Sequence, residues 1–154
     1  MSRYTIGTGM GGTPQIMAAT YKTLLSLTSP ATPRRGYVYH FMLGPDGAPA
    51  DNTMVYKLDR QTTVGTGTGI TPHSIDPADG ATTLVGTVNH TAEPAVTDNT
   101  ELFEIACNQR AAFQWMAGQG GELVVPATNL NGVGLRAKSA AYVLTMVANL
   151  HFWD

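Results

Sequence analysis

The sequence has little charge. Only 13% of its 154 residues are Asp, Glu, Lys or Arg, about half the share of an ordinary soluble domain. The signs nearly balance, with 9 Lys and Arg against 11 Asp and Glu, for a formal net charge of -2. No basic excess exists to hold a nucleic acid backbone, so no direct nucleic acid partner is expected. The single cysteine, Cys107, excludes an intrachain disulfide framework and a paired-cysteine metal knuckle. No apolar run reaches the ~18 residues that would span a bilayer as a helix, so no membrane partner is expected. The first residues lack the basic end and apolar run of a secretory signal. A chain made and kept in the cytosol is expected, which leaves the Asn89-His90-Thr91 glycosylation match idle.

Chemistry-bearing patterns are also scarce. Gly7, Gly9 and Gly12 spell G-x-G-x-x-G, the pattern of a dinucleotide loop. Its context fails: six residues precede it, Thr13-Pro14 follows where a helix must propagate, and the first acidic residue is Asp46. The reading preferred is a flexible N-terminal arm over residues 1–15, whose Gly7, Gly9 and Met10 would touch a neighbour. GTGTGI at Gly65–Ile70 lacks the Lys-Ser/Thr ending of a phosphate loop and reads as a mobile hairpin or loop. His40, His73, His90 and His151 show neither H-E-x-x-H nor H-x-H spacing, so no metal is expected. His40 and His151 fall on the polar phase of their strands, as surface or interface groups. His73 with Asp76, and His90 with Glu93, read as loop staples. The chain has no G-x-S-x-G elbow, and Cys107 sits on an apolar phase as inert packing. No catalytic residue and no cofactor are expected.

What the chain does have is turns and alternation. Gly and Pro clusters such as Gly44-Pro45-Asp46-Gly47, Asp79-Gly80 and Asn131-Gly132 punctuate it too densely for long helices. Between them, YVYHFML places Tyr37, Tyr39, Phe41 and Leu43 on one face. NTMVYKLDR does the same for Met54, Tyr56 and Leu58, and LFEIAC for Phe103, Ile105 and Cys107. In YVLTMVANLHFW one side carries Tyr142, Leu144, Met146, Ala148, Leu150 and Phe152. Period two with β-branched enrichment predicts strands. IMAATYKTLLSLTS is read as a strand on the alternation of Thr23, Leu25 and Leu27, although Ala, Met and Lys also suit a helix. Residues 65–94 read as loops with one strand at Thr82–Val88, a candidate protrusion. The fold class is all-β: an antiparallel sandwich or barrel in one domain over residues 16–154. Arg34-Arg35, after a stretch of stiff turns, reads as solvated charge or as a fork for an acidic partner.

One stretch is distinctive. In NQRAAFQWMAGQGGELVVPATNLNGVGLRA (108–137), Arg110 and Gln114 alternate with Ala111, Phe113 and Trp115 before Gly120-Gly121 turns the chain. This stretch resembles a widespread group of small structural proteins of tailed bacteriophages. The similarity extends to PRRGYVYHFMLGPDGAPADNTMVYKLDRQTTVGTGTGITP, to the DPAD at Asp76–Asp79 and to NHTAEP at Asn89–Pro94, and so covers roughly residues 16–153. The resemblance implies a jelly-roll sandwich and a role in capsid decoration. Such a cement protein sits on the expanded head against the major capsid protein, as a homo-oligomer, often a trimer. It carries over no catalytic residues. Trp115, with the arm and Arg34-Arg35, is the expected interface set. The other classes weighed are a tail, connector or fibre component, a lectin-like module using Trp115, Trp153 and the tyrosines, and an enzyme.

Overall fold

The alternating segments pair into two antiparallel sheets that close on a shared apolar core. The structure, a computed structural model, describes residues 1–154 apart from the side chains of Asp98 and Asn99. Sheet A holds β1 (Arg3–Gly7), β3 (Gly36–Asp46), β6 (His73–Ser74), β9 (Phe113–Met116), β10 (Leu123–Val125) and β12 (Thr145–Trp153). Its order is β10-β3-β12-β1-β6, with β9 also paired to β3. Sheet B holds β2 (Lys22–Thr28), β4 (Thr53–Gln61), β5 (Thr66–Ile70), β7 (Val85–Ala92), β8 (Val96–Asn108) and β11 (Gly132–Lys138). Its order is β5-β7-β2-β11-β4-β8. This is an all-β sandwich, as the alternation predicts.

The core lies between the sheets. Phe41, Leu150 and Phe152 of sheet A meet Leu25, Leu27, Tyr56, Leu58 and Leu135 of sheet B, all fully buried. Each such side chain contributes about 1.5–3 kcal/mol on leaving water. Burial pushes the Tyr56 hydroxyl up to about 12, so it stays neutral within the core.

Several expectations need correction. Residues 3–7 are not part of an arm. β1 lies inside sheet A, between β12 and β6, with Arg3 opposite Trp153 and Ile6 opposite Leu150. Tyr4 and Ile6 are core residues, and their apolar phase in RYTIG outweighs the glycines that follow. The second correction concerns β3. Partners on β12 step from His40 to Val38, which leaves Tyr39 as a bulge. One extra residue flips every side chain beyond it. Phe41 and Leu43 therefore point inward as expected, but Val38 replaces Tyr37 and Tyr39 in the core. Third, the Gly65–Ile70 stretch gives strand β5 on the edge of sheet B, paired with β7. Beyond it, the two-residue β6 is unforeseen, residues 75–84 are loop, and β7 overlaps the strand expected at Thr82–Val88. Fourth, Leu144 precedes β12 and is exposed, because the alternation holds only from Met146 onward. In β2, Leu25 and Leu27 point inward as expected, but a bulge at Leu24 turns Thr23 to the outer face beside Arg136. The predicted phases of β4 and β8 match the structure.

Candidate interaction face

The outer faces of the two sheets differ in charge. The strands of sheet A contain only Arg3 and Asp46 as charged residues, each at or near a strand end. Those of sheet B contain Lys22, Lys57, Asp59, Arg60, Asp98, Glu101, Glu104, Arg136 and Lys138.

On sheet A, the residues that alternate away from the core form a charge-poor surface of aromatic and apolar side chains interspersed with the neutral polar Thr5, Gln114 and Asn149. The Tyr37 ring stacks on Trp153 with centroids 3.9 Å apart. Tyr39 lies 6.1 Å from the His151 ring. Met42, Val147 and Met116 continue the surface at 37%, 43% and 64% exposure. Beside them a pocket of about 360 Å³ opens between Met42, Gly44, Pro45, Ala112, Phe113 and Val147. Gly44 leaves room there: a Cβ on it would approach the Ala112 methyl no closer than 3.7 Å.

Two histidines sit in the middle of this face. His40 and His151 are direct cross-strand partners, with Nδ1 atoms 3.0 Å apart. Between two such nitrogens only one proton fits, so one ring donates and the other accepts. His40 Nε2 is buried without a hydrogen-bond partner. A proton on His40 Nδ1, donated to His151, is the arrangement that leaves no buried N–H unpaired. Burial, and then the neighbouring His40, hold His151 below the ordinary imidazole range. Protonating His151 at Nδ1 would set N–H against N–H.

Sheet B uses its charges internally. The Asp59 carboxylate, 5% exposed, accepts from Arg136 Nη1 at 2.9 Å and lies 3.9 Å from Lys57 Nζ. Lys57 also reaches Glu101 at 2.6 Å. The Tyr21 ring lies under Lys138, Arg136 and Lys57 at 4.4, 5.2 and 5.3 Å, and its hydroxyl donates to Glu104. Glu93 accepts from the Thr23 backbone and hydroxyl, at 2.8 and 2.6 Å. His90 is not the loop staple expected: it is buried in β7. Its Nδ1 donates to the Thr23 carbonyl, and its Nε2 accepts from the Thr87 hydroxyl. Burial holds it below its ordinary range.

The residues singled out in the sequence are dispersed. Gly7 ends β1, where the Asn149 amide lies across it. Gly9 is exposed in a 3-10 turn, and the Met10 sulfur accepts from the Gly7 N–H at 3.1 Å. Arg34 forks onto Asp154 at 2.9 and 3.3 Å, so its acidic partner lies within the chain. Arg35 is exposed. Trp115 points inward from β9, half-buried, stacked 5.3 Å from Phe41. Sequence reasoning missed the outer face itself. Its signal was present in β12, where the polar phase carries only Thr145, Val147, Asn149, His151 and Trp153 and no charge. No protein-family model, curated protein or solved structure matches this chain.

Proposed function

We propose that this is a virion structural protein that decorates the expanded head of a tailed phage. The observation that carries the reading is the charge-poor outer face of sheet A. Apolar faces rimmed by polar residues mark surfaces meant to be covered. Here that face lies against the major capsid protein on the virion surface, and the charged face of sheet B looks to solvent. Each contact can be weak, because many copies act together on a symmetric shell. The resemblance of residues 16–153 to phage structural proteins supports the same assignment. The work is mechanical and requires no reacting group.

The test is co-sedimentation of the purified protein with expanded heads stripped of accessory proteins. Saturable binding with raised resistance of the heads to heat is expected, and Val147→Lys should remove it. Absence from heads together with presence in isolated tails would move the protein to a tail, connector or fibre role. The Tyr37–Trp153 stack favours one other reading, a platform for sugar rings. Glycan titration monitored by tryptophan fluorescence separates it: a saturable quench that a Trp153 substitution removes would replace the decoration reading.

A further inference from the structure

Sheet B ends on a long strand with one bare edge. β8 runs for 13 residues without proline or lysine, and among the described residues β4 is its only neighbour in the sheet. Glu101 and Glu104 are drawn back across the outer face onto Lys57 and Tyr21, so they guard the edge poorly. The core side is also unfinished there. Met54, Tyr56 and Leu58 on β4 are 0% exposed. Their β8 counterparts Cys107, Ile105 and Phe103 are only half-buried. A strand laid along β8 would satisfy the free backbone groups and cover this flank.

We propose that the strand is β8 of a second copy, paired antiparallel about a two-fold axis through Ile105. Residues 103–108 pair with β4 without a register break, and the first break comes beyond Phe103. An axis at Ile105 sets Ile105 against itself, Phe103 against Cys107 of the second copy, and Glu104 against Ala106. Every inward apolar side chain then meets an apolar one, and each carboxylate meets a methyl group. An axis at Glu104 opposes two carboxylates, which is destabilising. An axis at Ala106 sets Phe103 against Gln109, which is fully buried and already bonded to Ser139 and Ala50. The register at Ile105 is therefore self-complementary, as an isologous interface requires. It joins sheet B of two copies into one continuous sheet. It also differs from the trimer that the phage resemblance implies.

This pairing does not depend on the head-binding reading and is tested without heads. Sedimentation equilibrium of the full chain should give a dimer. A monomer throughout the micromolar range, or a trimer, would overturn the proposal. Ile105→Lys should raise the dimer dissociation constant at least about tenfold, since an inward-pointing charge blocks edge pairing. Its circular dichroism reports whether it folds. Cysteine pairing reads the register independently. Under mild oxidation Ile105→Cys in a Cys107→Ser background should form a cross-linked dimer, because only directly opposed residues bring their sulfurs within bonding reach. Glu104→Cys in that background should stay uncrosslinked. Equal cross-linking at both positions, or none at Ile105, would refute the two-fold pairing.

Discussion

The two outer faces belong to one sandwich, yet they handle polarity in opposite ways. Sheet B gathers nearly all the strand charge and neutralises it at home, through Asp59, Arg136, Lys57 and Glu101. Sheet A leaves charge out and shows stacked rings, methionines and a hydrogen-bonded histidine pair. The low charge of the whole chain is therefore not spread evenly. It is concentrated on one side, which leaves the other side free to be covered.

The largest expected effect lies in sheet B. A Cβ on Gly132 would sit 2.1 Å from the Leu27 carbonyl oxygen and 2.8 Å from the Thr28 Cα. Those are backbone atoms fixed by the β2–β11 ladder. Gly132→Ala should cost several kcal/mol, on the order of 3 or more, or abolish folding, in urea titration. Gly44→Ala on sheet A should be nearly neutral, and equal losses at the two sites would break the comparison. Next comes Asp59→Ala, which strands the slightly exposed Arg136 and leaves Lys57 with Glu101 alone. A loss of about 3 kcal/mol is expected, because breaking a buried pair leaves an uncompensated charge.

The pH dependence sharpens the contrast further. His90 in sheet B and His151 in sheet A are both held low, chiefly by burial. The unfolded chain, with imidazoles near ~6.5, then binds more protons than the folded one. Stability is complete above that value. It falls as pH drops through it toward the lowered folded values. Thermal melts from pH 8 to 5 should show this acid-side loss, and His151→Gln should reduce it. The smallest effect is at the surface. Met116→Lys should leave stability within about 0.5 kcal/mol in the same urea titration. A large loss would mean that the outer face of sheet A belongs to the folding core.

Much of the fold was legible because alternation is a local signal. Met54, Tyr56 and Leu58 alternate without interruption, and so do Leu150 and Phe152. The bulge at Tyr39 was not legible, since a bulge is set by the partner strand and not by its own residues. Nor was β1, whose partner lies at the other end of the sequence. The candidate face was hidden for a related reason. Tyr37 and Trp153, or His40 and His151, become neighbours only once β3 and β12 pair. Gly7, Gly9 and Arg34 stood out in the sequence but serve turns and an internal ion pair.

The position of β1 constrains how the protein comes into being. β1 is made before the other eleven strands and lies inside sheet A, whereas its main neighbour, β12, is made after all of them. Until residues 145–153 emerge, Tyr4 and Ile6 have no ladder to complete and an apolar strand must wait unpaired. Closure of so long a loop makes folding slow for a chain of this size. Synthesis rate, and whatever shields that first strand meanwhile, then set the yield of native protein as much as its final stability does.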